Sequence, residues 1–349
     1  MAEYSPMMQH YLATKAEYKD CILFYRLGDF YEMFFDDALV VSKELELTLT
    51  GKDCGQEERA PMCGVPFHAA ETYINRLVSN GHKVAICEQM EDPKQAKGIV
   101  KREVIKVVTP GTNLNSQALD ETKNNYLMSI VYLGDVLGVA IADYSTGDFF
   151  VTEIETGAEL IDEINKFVPS EIILNEYFAM SGIDLTFISE KLSISVSTLE
   201  NWYFDDDSCK AKLKEHFHVN MLDGLGIKDY PVGIDAAGAL LIYLTQTQKS
   251  DMSHITSIVP YTTGKYMLID SSSRRNLELV ETMREKQKRG TLLWVLDKTS
   301  TAMGKRMLRS WIEQPLISSQ LINHPMSASC ALTVSYTHLR AHETDQYLV

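Results

Sequence analysis

The stretch LGDFYEMFF, residues 27–35, sets an aromatic ring and a carboxylate two positions apart, at Phe30 and Glu32. If this is a strand, side chains alternate between faces. Phe30 and Glu32 then share one face, and Tyr31 and Met33 share the other. A core accounts for one face. The other carries a large apolar ring beside a group that wants water. The bland account is a buried Phe30 with Glu32 salt-bridged at a strand end, and the question is whether the pair does more.

Other sequence chemistry is thinner. TAMGKRML (301–308) has a Gly-Lys pair but lacks the first glycine and the Ser/Thr of a phosphate loop. No G-x-S-x-G, H-E-x-x-H or kinase set occurs. Asp143 in AIADYSTG is a strand-borne carboxylate of the kind found in two-metal nuclease sites, but that chemistry needs several convergent carboxylates. No spaced partners accompany it, and the spacing predicts a turn residue. Cysteines at 21, 54, 63, 87, 209 and 330 form no C-x-x-C pair or zinc-like cluster, which predicts reduced structural thiols.

The net charge of −15 argues on its own against a polyanionic partner, but the average hides its distribution. Arg274 to Arg309 holds ten Lys/Arg against four Asp/Glu, and Lys83 to Lys106 holds six against four. These runs would be either solvated helix faces or the places where a nucleic acid touches. No apolar run reaches the roughly 18–20 residues of a membrane span. The N-terminus lacks the basic and apolar regions of a secretory signal, which predicts a cytoplasmic protein.

The elements that must position these residues follow from periodicity. Residues 6–19 read as a helix opened by Pro6. ILFYRLGDFYEMFF reads as a hairpin turning at Gly28-Asp29. DDALVVSKELEL reads as a helix N-capped by Asp36 or Asp37, PMCGVPFHA as a loop, 69–79 as a helix, and KVAICEQ and VKREVIKVVTPGT as strands. That makes a mixed α/β domain over 1–112. A polar linker, 113–123, precedes a second α/β domain, 124–255, which begins with an antiparallel meander. Residues 256–324 read as mostly helical and 325–349 as an atypical tail without clear period.

Six ordered motifs carry a resemblance: FYRLGDFYEMFFDDA (24–38), PMCGVPFHA (61–69), AICEQMEDP (85–93), VKREVIKVVTPGT (100–112), SRRNLEL (273–279) and TSTAMGKRMLRSWIEQPL (299–316). Together they resemble the bacterial MutS family of DNA mismatch repair proteins, over nearly all of 1–324. The resemblance implies a mismatch-recognition domain, then a ribonuclease-H-like connector without nuclease activity, then the start of an α-helical core or lever domain. Full-length members continue into a clamp and a C-terminal ATPase domain that binds ATP and Mg and dimerises. None of these follows here, so the expectation is a non-catalytic fragment. Implied partners are double-stranded DNA with mismatches or small loops, a homodimer mate, and downstream repair proteins such as MutL.

The resemblance also assigns residues. Phe30 would enter the minor groove and stack on a mispaired base, with Glu32 hydrogen-bonded to that base. An apolar wedge pays for unstacking and gains a kinked duplex, and the cost is least where pairing is already broken. Glu32, repelled by phosphates, is expected to gain a proton and act as a donor. His68, Lys94, Lys97, Lys101 and Arg102 are candidate DNA-backbone contacts, since phosphate contacts position while base contacts specify. The MCGVPFHA loop is expected near the groove, Gly64 permitting close backbone approach. Arg274, Arg275, Lys305 and Arg306 are expected to serve the lever. A scaffold coupling to repair partners, or a nuclease on the connector fold, are the competing functional classes.

Overall fold

Pro6 opens helix α1 (Pro6–Glu17), its fixed φ suited to the first turn. Hairpin strands β1 (Cys21–Leu27) and β2 (Phe30–Phe34) follow, joined by the two residues Gly28 and Asp29. Gly28 takes φ +59°, a left-handed conformation that glycine adopts without strain. Helix α2 (Phe35–Glu44), strands β3 (Thr50–Lys52) and β4 (Ala60–Pro66), helix α3 (Ala70–Ser79), β5 (Lys83–Gln89) and β6 (Arg102–Val108) complete the first sheet, ordered β3-β4-β2-β1-β5-β6. Helix α1 covers one face through Met8 and Tyr11. Helices α2 and α3 cover the other through Val41, Ile74 and Leu77. The computed structural model describes residues 4–91, 100–113, 123–250, 252–264, 266, 267, 269 and 271–323. Lys94, Lys97, Cys330, nearly all of the expected linker and the 325–349 tail lie outside the described residues.

Two local expectations are corrected. PMCGVPFHA is strand β4 followed by a short 3-10 turn, Phe67–Ala69, rather than a loop. Its prolines stand second and last in the strand, positions a ladder tolerates better than its centre. Asp37 is no N-cap: Phe34 occupies that position and α2 has no side-chain cap. Asp37 is buried instead, pairs with Lys15 at 2.9 Å and accepts the Leu23 amide at 2.9 Å, tying α1, α2 and β1 together.

The second sheet has the order β11-β10-β7-β8-β9-β12. Strands β7 (Tyr126–Leu133), β8 (Val136–Asp143) and β9 (Asp148–Ile154) form the antiparallel meander. Helix α4 (Gly157–Phe167) starts in a capping box, Thr156 with Glu159, and leads to β10 (Glu171–Asn175), parallel to β7. Helix α5 (Thr186–Leu192) connects to β11 (Ser195–Leu199), parallel to β10. A meander flanked by two parallel strands is the ribonuclease-H-like arrangement. Helices α6 (Asp206–His216) and α7 (Pro231–Gln248) cover one face, α4 and α5 the other. Gly138 of β8 lets α7 lie against the sheet, since a Cβ there would come within 2.1 Å of the Val232 carbonyl. Strand β12 (Val259–Pro260) pairs with β9, and the first compact unit runs to Tyr261, beyond the expected boundary at 255.

Within that unit a fully buried carboxylate joins the two sheets. Glu171 of β10 accepts from the Tyr243 hydroxyl at 2.6 Å and the Gly111 amide at 3.1 Å, with the Lys83 ammonium of β5 at 3.6 Å. At the end of α7, Lys249 donates to the Val104 carbonyl at 2.6 Å and Gln248 to that of Val107 at 3.1 Å.

The second unit, from Thr262, contains α8 (Ser271–Asn276), α9 (Leu292–Leu296) and α10 (Ala302–Glu313). Residues between α8 and α9 turn rather than continue a helix, with Glu278 and Lys286 at positive φ. Among the described residues, no helix is long and apolar enough to cross a membrane.

Candidate nucleic-acid interface

Strand β2 divides its side chains by face. Tyr31 and Met33 point into the α2/α3 core, at 7 % and 0 % exposure. Phe34, Glu32 and Phe30 lie on the α1 face. There Tyr11 packs edge-on against Tyr25 and Phe34, at centroid distances of 5.4 and 4.9 Å. Further along the same face that cover gives out. Glu32 is partly buried and Phe30, at the turn, is 47 % exposed. Phe30 is held in place by its backbone: it pairs with Leu27 on one side and Pro66 on the other, inside a three-strand ladder.

A second exposed ring stands at the same end of the hairpin, on the side of the sheet that carries Arg26 and Tyr31. Phe67, one residue past Pro66, donates its amide to the Asp29 carbonyl at 2.9 Å, fastening the 3-10 turn to the hairpin turn. The Arg26 guanidinium lies over the Phe67 ring, 4.0 Å from its centroid, and bonds Glu88 at 3.3 Å. Glu88 also accepts from the Tyr31 hydroxyl. Burial and that bond both push the Tyr31 hydroxyl's pKa up, so it remains a donor. His68 is exposed beside Phe67, their rings edge-to-face at 5.9 Å.

Glu32 is not free. Its carboxylate is ion-paired with Lys52 of β3, whose ammonium also sits 5.7 Å from the Phe34 ring centroid. Gly64, opposite Glu32 in β4, makes room for this. A Cβ there would stand 3.2 Å from the Tyr31 carbonyl and 3.5 Å from Glu32 Cγ. The close approach that Gly64 permits is therefore to β2 of its own sheet. Lys52, Arg26 and Phe67 were all missed in the sequence. Phe67 alone left a signal, an aromatic beside His68 in a quoted motif.

The expected backbone contacts part company. Lys101 is well exposed and paired with Glu103 at 2.7 Å. Arg102 has a different job from the one expected of it. It is 8 % exposed, donates from Nε to the Arg26 carbonyl at 2.8 Å and from an Nη to that of Val100 at 2.9 Å, and lies over the Tyr25 ring. A guanidinium so engaged braces β6 against β1 and is spent on the fold rather than offered at the surface.

Elsewhere the chemistry is structural. Asp143 is fully buried and accepts from the Asn125 amide at 3.1 Å and from the Ser145 amide and hydroxyl at 2.8 and 2.6 Å, a meander-end turn cap. Among the described residues no three His, Cys, Asp or Glu side chains group as metal ligands. Gly304 and Lys305 lie inside α10, N-capped by Thr301, not in a loop between strand and helix, so that stretch does not fit a nucleotide phosphate. Burial pushes the Cys21 and Cys87 thiols up to about 12, which leaves them unreactive.

Comparison with known proteins agrees with this architecture. Residues 5–117 match MutS domain I, 125–256 match MutS domain II, and 272–341 match MutS domain III. The chain is 64 % identical over 323 residues to the DNA mismatch repair protein MutS of Lachnoclostridium phytofermentans, covering 93 % of this chain and 35 % of that protein. It is 57 % identical over 321 residues to that of Ruminiclostridium cellulolyticum, covering 91 % and 36 %. Against that of Acetivibrio thermocellus it is 54 % identical over 332 residues, covering 94 % and 38 %. The chain thus spans little more than a third of the length of these curated relatives. Three domain matches in order, over the two sheets and the helical segment just described, make this chain a member of the MutS family.

Proposed function

We propose that this chain is the lesion-sensing part of a DNA mismatch repair protein, and that it recognises mismatched or looped-out duplex through Phe30 and Glu32. The observation that carries the reading is the position of Phe30. It is a large apolar ring nearly half exposed, on a strand whose neighbouring residues are locked into a sheet. Burying such a ring against a base regains apolar contact that the fold leaves unused. A rigid support lets the ring push between base steps rather than fold back. The energy of opening the step is lowest at a mispair, so the ring reads deformability and not sequence. Glu32, one position further in on the same face, supplies the polar partner for the displaced base.

Phe67 and His68 present a separate exposed surface on the Arg26 side of the hairpin, and Lys94, Lys97 and Lys101 serve as phosphate contacts. The chain acts without catalysis of its own. In this reading ATP and Mg, the homodimer contact and the clamp are supplied by other domains of the family architecture, and MutL-type repair proteins are the downstream partners. The setting is the cytoplasm, on nucleoid DNA. A nuclease reading has no support, since Asp143 is spent on a turn. A scaffold reading, in which the connector recruits partners independently of the wedge, is separated by the same test.

The test is Phe30→Ala in a competition between mismatched and fully paired duplex. Stacking on an aromatic is worth about 1–3 kcal/mol per base, so the variant should lose roughly 5- to 150-fold of mismatch preference while paired-duplex binding changes little. An unchanged preference overturns the wedge assignment. A partner pull-down that survives Phe30→Ala would assign the connector a separate recruiting role.

A further inference from the structure

We infer that Lys52 is a positioning residue for mismatch reading: it is the counter-ion that lets Glu32 enter the groove ionised, as an acceptor, instead of having to gain a proton first. The inference rests on the proposed roles of Phe30 and Glu32 and deepens them.

The geometry is specific. Lys52 ends the edge strand β3, and β4 separates it from β2. Its side chain runs past the Phe34 ring to end on the Glu32 carboxylate, on the same face as Phe30. Nothing stands between the two groups on β4 because the residue opposite Glu32 is Gly64. Among the described residues, Lys52 is the one charge placed in contact with Glu32. Tyr25, opposite Glu32 on β1, brings two others near the face. His10 bonds its hydroxyl at 2.9 Å and the Arg102 guanidinium lies 5.2 Å over its ring. Arg59 packs against Gly51, beside Lys52. His10 and Arg102 are thus held on other groups, and the Arg59 side chain runs along Gly51.

A carboxylate carried toward phosphates is repelled, and the protein has two remedies. One is protonation, which would make binding depend on proton uptake. The other is a cation that travels with it. Lys52 supplies the second, and at 31 % side-chain exposure its ammonium stays within reach of both the carboxylate and an approaching backbone. In this arrangement Glu32 accepts a hydrogen bond from a base N–H, so the bases best read are those that offer one.

The experiment uses the whole chain and its Lys52→Met, Lys52→Arg and Lys52→Met/Glu32→Gln variants. Mismatch-over-paired preference is measured from pH 5.5 to 8. Wild type and Lys52→Arg should be flat. Lys52→Met should strengthen its preference as pH falls, by up to roughly tenfold per pH unit, because its Glu32 must bind a proton in the groove. The double variant should be flat again. A flat profile for Lys52→Met beside a wild type that discriminates overturns the inference and leaves the wedge intact. Loss of discrimination in wild type itself is a failure of the proposed function instead. A readout without DNA accompanies it: a water-soluble carbodiimide activates a carboxyl, and a touching amine displaces the urea to form an amide. Wild type should therefore yield a Glu32–Lys52 isopeptide cross-link by mass spectrometry, and Lys52→Met none. Absence of that cross-link in wild type means Lys52 does not sit on Glu32, and overturns the inference whatever the DNA result.

Discussion

Arg102 shows how much a single residue's meaning depends on what lies over it. In the sequence it is one more cation in a basic run beside Lys101. In the fold it is a buried brace whose guanidinium bonds two backbone carbonyls. Arg102→Met should therefore leave those carbonyls unpaired and lower the melting temperature. A buried acceptor left unsatisfied costs about 1–3 kcal/mol, and each kcal/mol is worth roughly 2–4 °C in a unit of this size. The salt dependence of DNA binding should not change, whereas removing a true phosphate contact reduces the slope by about 1. A stable variant with a reduced slope would return Arg102 to the interface. The face division of Phe30, Tyr31, Glu32 and Met33 was legible because strand periodicity is strict. The Lys52–Glu32 pair was not. It joins two strands across a third, and nothing local to Lys52 points to residue 32.

Among elements, those with one dominant signal were legible and those with competing signals were not. The Gly28-Asp29 hairpin, the meander and α7 carry period and turn chemistry that agree. Strand β4 carries two prolines and a glycine, which read as a loop, and tertiary pairing with β2 and β3 overrides them. The packing of α6 on α7 is of the same hidden kind. Their close contact depends on Gly238, where a Cβ would meet Cys209 at 2.3 Å, and it buries Asp235 with one carboxylate oxygen lacking a partner. Burial first, and then the nearby Asp206 carboxylate, push the Asp235 carboxyl up to about 7. A carboxyl whose folded pKa lies above its unfolded value costs nothing while both states are protonated. It costs more with each pH unit between the two values, and a constant amount above both. Asp235→Asn should thus match wild type near pH 4 and melt progressively higher than it up to about pH 7, with a constant gap beyond. Thermal melts across that range decide it, and a gap independent of pH would show that burial does not shift the Asp235 carboxyl from its unfolded value.

At the scale of the whole molecule the difficulty is charge. A chain of net charge −15 is proposed to meet a polyanion, so the cations that touch it must be few and local. Around the wedge most are already engaged: Lys52 with Glu32, Arg26 with Glu88, Arg102 with carbonyls. Lys101 remains well exposed, and Lys94 and Lys97 belong to the same stretch of sequence. Each neutralised phosphate contributes about −0.9 to the slope of log K against log salt, so three contacts predict a slope near −3. Binding measured between low and moderate salt should give that shallow dependence, with mismatch preference nearly unaffected, because Phe30 stacks and does not pair charges. A slope steeper than about −5 would mean that other cations grip the duplex, and the ten between Arg274 and Arg309 are the obvious source. Charge-reversing Lys305 and Arg306 would then flatten the slope. If those residues serve the helical segment alone, as their place in α10 suggests, the same variant changes melting and not salt dependence.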